Sequence, residues 1–410
     1  MESEWDQAKI SSSLKQISNR KRMELDTCAH CGLCTGKCPT YAGSGEANYS
    51  PSIRASKMLR LMDKKDGILT RFLGQKDISV EEFRDLSDSV YNCTLCGRCM
   101  ETCPFGFQTH ELWVSLRGII HSMGCQNANV ARMERQLEET RNPYGLDSDT
   151  RLDWVDYTSL DQLPIKEKAE VAFWVGCTTA FKGANQNVAF CIANILNHVK
   201  EDWTSLGDKE WCCGSPVLLS GDEEKFREYV EHNVALIEKL GVKRVITGCS
   251  GCYRILKWEY PTLLKKELPF EVIHVVEYIR DKIDQKQLSI EKLDKKITYH
   301  DPCELARLGG IVNAPREILR SFAGNFVEIN ENKLDSRCCG GGGLLHSSNS
   351  DLRLAVVKNR LEQVKDTGAE ILTSSCPACK LAYLDGVREF GYKIEVLDLV
   401  ELVARQMKIS

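Results

Sequence analysis

Cysteines at positions 177, 212, 213, 249 and 252 return as cysteines at 303, 338, 339, 376 and 379, 126 residues later for the first three and 127 for the last two. No other feature constrains the fold as tightly. Packing sets no such spacing, whereas a polynuclear metal cluster needs several thiolates at fixed positions. The chain therefore contains an internal duplication, and each copy has to bring five sulfurs to one place.

A chain of 410 residues with 42% hydrophobic content has enough apolar material for two or three cores, so its 20 cysteines are not needed as disulfide staples. The N-terminus, MESEWDQAKISSSLKQISNRKRMEL, is polar and charged and has no apolar signal region. No apolar run approaches the ~20 residues of a membrane span. The expectation is a reducing, cytoplasmic setting, with any membrane association made through a partner protein. A net charge of −4, with both signs mixed along the chain, leaves no basic stripe for nucleic acid.

Periodicity divides the chain. Residues 1–110 read as a helical, ferredoxin-like module with a polar lead-in over 1–27 and helices around Ile53 to Met62 and Val80 to Val90. Residues 111–165 read as a helical linker with a turn at Asn142-Pro143-Tyr144-Gly145. From there strand-like runs alternate with helices: Val171 to Val175, Val242 to Thr247, Glu271 to Val276, Ile297 to His300, Glu370 to Thr373 and Ile394 to Leu397. The intervening helices include Glu223 to Leu240 and Asp351 to Val364. This predicts two duplicated α/β Cys-Cys-Gly domains, 166–292 and 293–410, with largely parallel sheets, following an α+β N-terminal module. In such folds the loops at the carboxyl ends of strands carry the sites.

CAHCGLCTGKCP places Cys28, Cys31, Cys34 and Cys38, and CTLCGRCMETCP places Cys93, Cys96, Cys99 and Cys103. This is the C-x2-C-x2-C-x3-C-P spacing of two-cluster ferredoxins, in which the fourth cysteine of each run ligates the other cluster. One 4Fe-4S cluster is expected on Cys28, Cys31, Cys34 and Cys103, and the second on Cys93, Cys96, Cys99 and Cys38. Zinc, the bland alternative, prefers two separated pairs to three plus one. Pro39 and Pro104 turn the chain after each crossing cysteine, and Gly32 and Gly97 leave room for backbone amides.

Adjacent cysteines in the duplicated pattern diverge too far to share one small ion but suit an extended cluster, larger or less symmetric than a cubane. Gly214 and the run 340–343 predict either close backbone approach or an open face for substrate. The alternatives are zinc on each C-x2-C pair, or vicinal disulfides.

A two-cluster ferredoxin module followed by two Cys-Cys-Gly domains resembles the D component of heterodisulfide reductase, over nearly the whole chain from Cys28 onward. The resemblance implies two noncubane iron–sulfur clusters, one on Cys177, Cys212, Cys213, Cys249 and Cys252 and one on Cys303, Cys338, Cys339, Cys376 and Cys379. It also implies cleavage of a disulfide of the coenzyme M/coenzyme B type within a redox complex. The same architecture resembles relay proteins that work with flavin dehydrogenases, electron-transfer flavoproteins, quinones or benzoyl-CoA reductase assemblies. The implied partners are a flavoprotein, a cytochrome b or a bifurcating module. The chain has no G-x-G-x-x-G after a strand, so no dinucleotide site of its own is expected.

Other polar residues carry weaker expectations. His300, in YHDPC, reads as a strand-end histidine satisfied by a backbone hydrogen bond, with proton supply to a leaving thiolate as the functional alternative. Lys380 and His346 read as solvated, Lys380 with the alternative of placing charge beside a cluster or an anionic substrate. Cys191 reads as a small buried hydrophobe, and Cys125 has no assigned role.

Overall fold

The computed structural model describes residues 7–67, 70–156 and 163–407; residues 1–6 of the expected lead-in and 157–162 of the expected linker lie outside them. The chain forms two compact units that are not contiguous in sequence. One comprises Met1–Glu134, Pro216–Glu223 and Gly342–Val356; the other comprises Arg135–Ser215, Glu224–Gly341 and Val357–Ser410. Each inserted segment of the first unit begins just after a Cys-Cys-Gly motif.

The first unit is helical. Ser50 caps the helix Pro51–Asp66 ahead of a proline at its first position, and Ser79 with Glu82 forms a capping box on Val80–Tyr91. Arg54, Arg98 and Arg117 are buried here and donate to backbone carbonyls. Arg54 donates to Ser89 O at 2.8 and 3.0 Å and to Tyr49 O at 3.3 Å. Arg98 donates to Lys37 O at 3.2 Å. Arg117, on the helix Thr109–Ser122, donates to Val90 O, Cys93 O, Leu219 O and Gly343 O, the last three at 2.9 Å. It thereby ties the loop before the second cysteine run to both inserted segments. Glycine permits the close approach: a side chain on Gly343 would meet Cys93 O at 2.4 Å, and one on Gly221 would meet Arg117 O at 2.4 Å.

The second unit holds both repeats. Its strands are β1 (Val171–Trp174), β2 (Trp203–Ser205), β3 (Arg244–Thr247), β4 (Glu271–His274), β5 (Leu293–His300), β6 (Ala323–Glu328), β7 (Ile371–Ser374) and β8 (Glu395–Asp398). They form two four-stranded sheets of identical order, β2-β1-β3-β4 and β6-β5-β7-β8, every pair parallel. β1 and β7 are buried along their whole length, as apolar strands covered on both faces must be. The expected strands all occur; β2 and β6, an edge strand in each sheet, were not expected. The repeats pack through the helix Gly183–His198 against Pro377–Phe390 and Leu399–Gln406. Asn185 Nδ2 donates to Pro377 O at 3.1 Å and Asn187 Nδ2 to Glu401 at 3.0 Å. Because strands in each sheet run one way, their carboxyl ends lead directly to thiols: Cys177 and Cys303 lie three residues past β1 and β5, and Cys249 and Cys376 two past β3 and β7.

Candidate metal centres

In both N-terminal runs the backbone turns left-handed twice around the second cysteine, at His30 (φ 50°) and Gly32 (77°), and at Leu95 (53°) and Gly97 (70°). No protein atom crowds a Cβ built on Gly32, so conformation rather than space calls for the glycine there. Cys28, Cys31, Cys34 and Cys103 line one cavity together with Phe105 and Phe107. Cys38 is buried near Cys93 and Cys99, whose charges act on one another. Thr40 Oγ1 lies 3.2 Å from Cys38 Sγ, and Thr109 Oγ1 lies 3.0 Å from Cys99 Sγ. Burial pushes the Cys34 thiol up to about 11 and the Cys99 thiol up to about 12.

In the second unit an unbroken run of thiol–thiol contacts passes through Cys177, Cys212, Cys213, Cys252, Cys249, Cys376, Cys379, Cys339 and Cys338. The two repeats meet inside it, at Cys249 and Cys376. Cys339 and Cys379 sulfurs are 3.1 Å apart. The adjacent cysteines do not diverge as the sequence suggested. Gly214 (φ 84°) and Gly340 (83°) reverse the chain behind them, and both thiols of each pair turn to the same side.

Hydrogen bonds from neighbouring thiols hold Cys213 down at about 6, and hold Cys339 and Cys376 well below the ordinary thiol range. Donating such bonds, together with burial, lifts Cys177, Cys252 and Cys379. Buried thiols this crowded cannot all ionise against one another, and a metal cation removes the conflict. Cys376 also stands at the N-cap of the helix Pro377–Phe390, where the helix field favours thiolate, whereas the Cys249 thiol is raised above the ordinary range by its bond to Cys376 and by burial.

Buried ion pairs brace the loops. Arg151 donates to Glu210 at 2.9 Å and to Cys177 Sγ at 3.5 Å, while Glu210 accepts from the Val175 and Gly176 amides at 2.9 and 2.8 Å. In the second repeat Arg316 grips Asp301 with two bonds of 2.7 and 2.9 Å, and Asp301 accepts from Lys333 N at 2.7 Å. Sequence reasoning missed all of these. The available signal was an acidic residue two positions before a proposed ligand, Glu210 before Cys212 and Asp301 before Cys303.

Several expectations need correction. Lys380 is neither solvated nor directed at a ligand: it is buried, ion-paired with Glu401 at 2.8 Å, and donates to Ala184 O at 2.5 Å. His300 is buried, and neither ring nitrogen has a hydrogen-bond partner. The 340–343 glycines serve close approach and not an open face, since a Cβ on Gly341 would meet Ala378 O at 2.7 Å. His346 is exposed, Cys191 is buried in the helix Gly183–His198, and Cys125 is half-buried.

Comparison with known proteins agrees with this geometry. Residues 24–107 match the 4Fe-4S dicluster domain, and residues 171–257 and 297–383 each match the Cysteine-rich domain, known as CCG. The chain is 37% identical over 403 residues to the D component of the dihydromethanophenazine:CoB–CoM heterodisulfide reductase of Methanosarcina acetivorans, with 97% of each covered. The component of the same name from Methanosarcina mazei is 38% identical over 404 residues, again with 97% of each covered. More distant is the EtfAB:quinone oxidoreductase of Syntrophomonas wolfei, 26% identical over 94% of this chain and 58% of that protein. Among solved structures, a hypothetical protein from Helicobacter pylori superposes with a TM-score of 0.52 at 11% identity, covering 98% of this chain and 76% of that one; the likeness bears on fold alone.

Proposed function

Because the chain belongs to the family of the heterodisulfide reductase D component, an iron–sulfur electron-transfer family, we propose that it is the disulfide-reducing member of a redox complex. Cys28, Cys31, Cys34 and Cys103 hold one 4Fe-4S cluster, and Cys93, Cys96, Cys99 and Cys38 the other. Cys177, Cys212, Cys213, Cys249 and Cys252 hold one noncubane cluster, and Cys303, Cys338, Cys339, Cys376 and Cys379 the second. When bound, these groups supply one-electron carriers and iron atoms able to take up the sulfurs of a disulfide. The chain's own contribution is to gather the thiolates, keep water from them, and fix the Cys177 and Cys303 loops through Arg151–Glu210 and Arg316–Asp301.

The observation that carries this reading is the contact of Cys249 with Cys376, which joins thiols of the two repeats, nine of the ten, into one run. Disulfide reduction consumes two electrons and two protons and yields two thiols, and a paired site suits a two-electron substrate supplied with single electrons. The electrons come from a partner: a flavoprotein, a cytochrome b or a bifurcating module. Among the described residues no helix is long and apolar enough to cross a membrane.

A second reading, a relay between a flavin-dependent dehydrogenase and a quinone, rests on the more distant relatives. One anoxic experiment separates the two. Reduced protein is mixed with a panel of disulfides, including that of coenzymes M and B, and thiol release is followed with reoxidation of the centres. Stoichiometric release that Cys339→Ser abolishes, with the ferredoxin-type centres still reducible, is the expected result. Centres that stay reduced with every disulfide yet reoxidise with a quinone or flavoprotein would establish the relay.

A further inference from the structure

Among the positions beside the thiols at which the repeats differ is the end of the first strand in each sheet. The last residue of β1 is Trp174, paired in register with Thr247; the last residue of β5 is His300, paired with Ser374. Each stands three residues before a proposed ligand, Cys177 or Cys303, and its partner strand ends two before another, Cys249 or Cys376. An indole nitrogen can only donate a hydrogen bond, whereas a neutral imidazole can bind a metal.

His300 is 1% exposed, and both its ring nitrogens lack a hydrogen-bond partner. The Trp174 indole nitrogen is also without a partner, but it can only donate, whereas the unpartnered nitrogens of a buried His300 include a lone pair free to meet a ligand. A ring nitrogen of His300 and the sulfurs of Cys339 and Cys379 all lie within 4.8 Å of one another. Tyr383, one turn beyond Cys379 on the same helix, packs edge-on against the imidazole at 5.2 Å and 80°.

We propose that His300 is a sixth donor of the second thiol set, its ring nitrogen binding the metal that Cys339 and Cys379 share, so that this centre has mixed nitrogen–sulfur ligation while the first repeat's has sulfur alone. The proposal rests on the reading of these thiols as iron ligands. Exchanging thiolate for imidazole raises the reduction potential of an iron–sulfur centre. The added neutral donor makes the duplicated sites unequal.

The test is electron–nuclear double resonance on holoprotein labelled with 15N-histidine, read on the paramagnetic signal that Cys339→Ser removes. The expected result is the strong nitrogen coupling of a directly bonded ring, lost in His300→Leu and retained in Trp174→Phe. A Cys339-dependent signal without that coupling overturns the proposal and leaves the thiol sites standing. Absence of any Cys339-dependent signal overturns the thiol reading and this proposal together. His300→Cys, which keeps a donor at the position, is expected to shift the potential of that signal downward; an unchanged potential would sink the ligand role even if His300→Leu fails to fold.

Discussion

The two N-terminal cysteine runs share one spacing and differ in their surroundings. In the first, Cys31 is exposed, and Leu33 and Phe105 are 55% and 56% exposed beside the cavity that its thiols line. In the second, Cys93, Cys96 and Cys99 are buried, the Cys93 carbonyl is held by Arg117, and Arg98, the counterpart of Leu33, is 1% exposed. Hydrophobicity alone would place the leucine inside and the arginine outside. The two runs share a spacing, and the flanking side chains decide which is exposed and which is buried.

Chemical modification of cluster-free protein tests that contrast most severely. The Cys99 thiol, raised to about 12 from 9.0, has roughly a thousandfold less thiolate than an ordinary thiol, so it should resist alkylation at pH 8 while Cys31 reacts at once. Comparable labelling of the two, followed by peptide mass spectrometry, would erase the distinction. Next in size, Arg117→Leu strands four buried carbonyls and should cost on the order of 3 kcal/mol in denaturant unfolding, against less than about 0.5 kcal/mol for Leu33→Ala. Equal losses in the two variants would mean that the buried guanidinium is not what holds the second run. Smallest, a bulky oxidant should bleach the first cluster about tenfold faster than the second. Monophasic bleaching that Cys31→Ser leaves unaltered would contradict the exposed placement.

Much of this was legible in the sequence. Cysteine spacing anticipated that Cys103 would stand with Cys28, Cys31 and Cys34, and alternating apolar runs anticipated the central strands of both sheets. β2 and β6 escaped notice for a physical reason. Trp203–Ser205 has only three residues, and Ala323–Glu328 carries glycine and asparagine; at a sheet edge, pairing to one neighbour suffices without a long β-branched run. Lys380 and His300 were misjudged because burial is a tertiary property. A lysine reads as solvated until Glu401, 21 residues on, is brought to it, and nothing local shows that His300 lacks a backbone partner. The placement of 216–223 and 342–356 in the N-terminal unit has no periodic signature at all, since it depends on Arg117 and on backbone approach at glycine.

That placement has a consequence for biosynthesis. The guanidinium of Arg117 is completed by Gly343 O, 226 residues further along the chain. At ribosomal speeds of roughly 5–20 residues per second, about 10 to 45 s pass between the appearance of the two. Val90 and Cys93 are at first the only acceptors within reach of Arg117, Leu219 joins them partway, and Gly343 comes last. The loop that carries the second cysteine run is therefore fully held by Arg117 only when the last of these segments has been made.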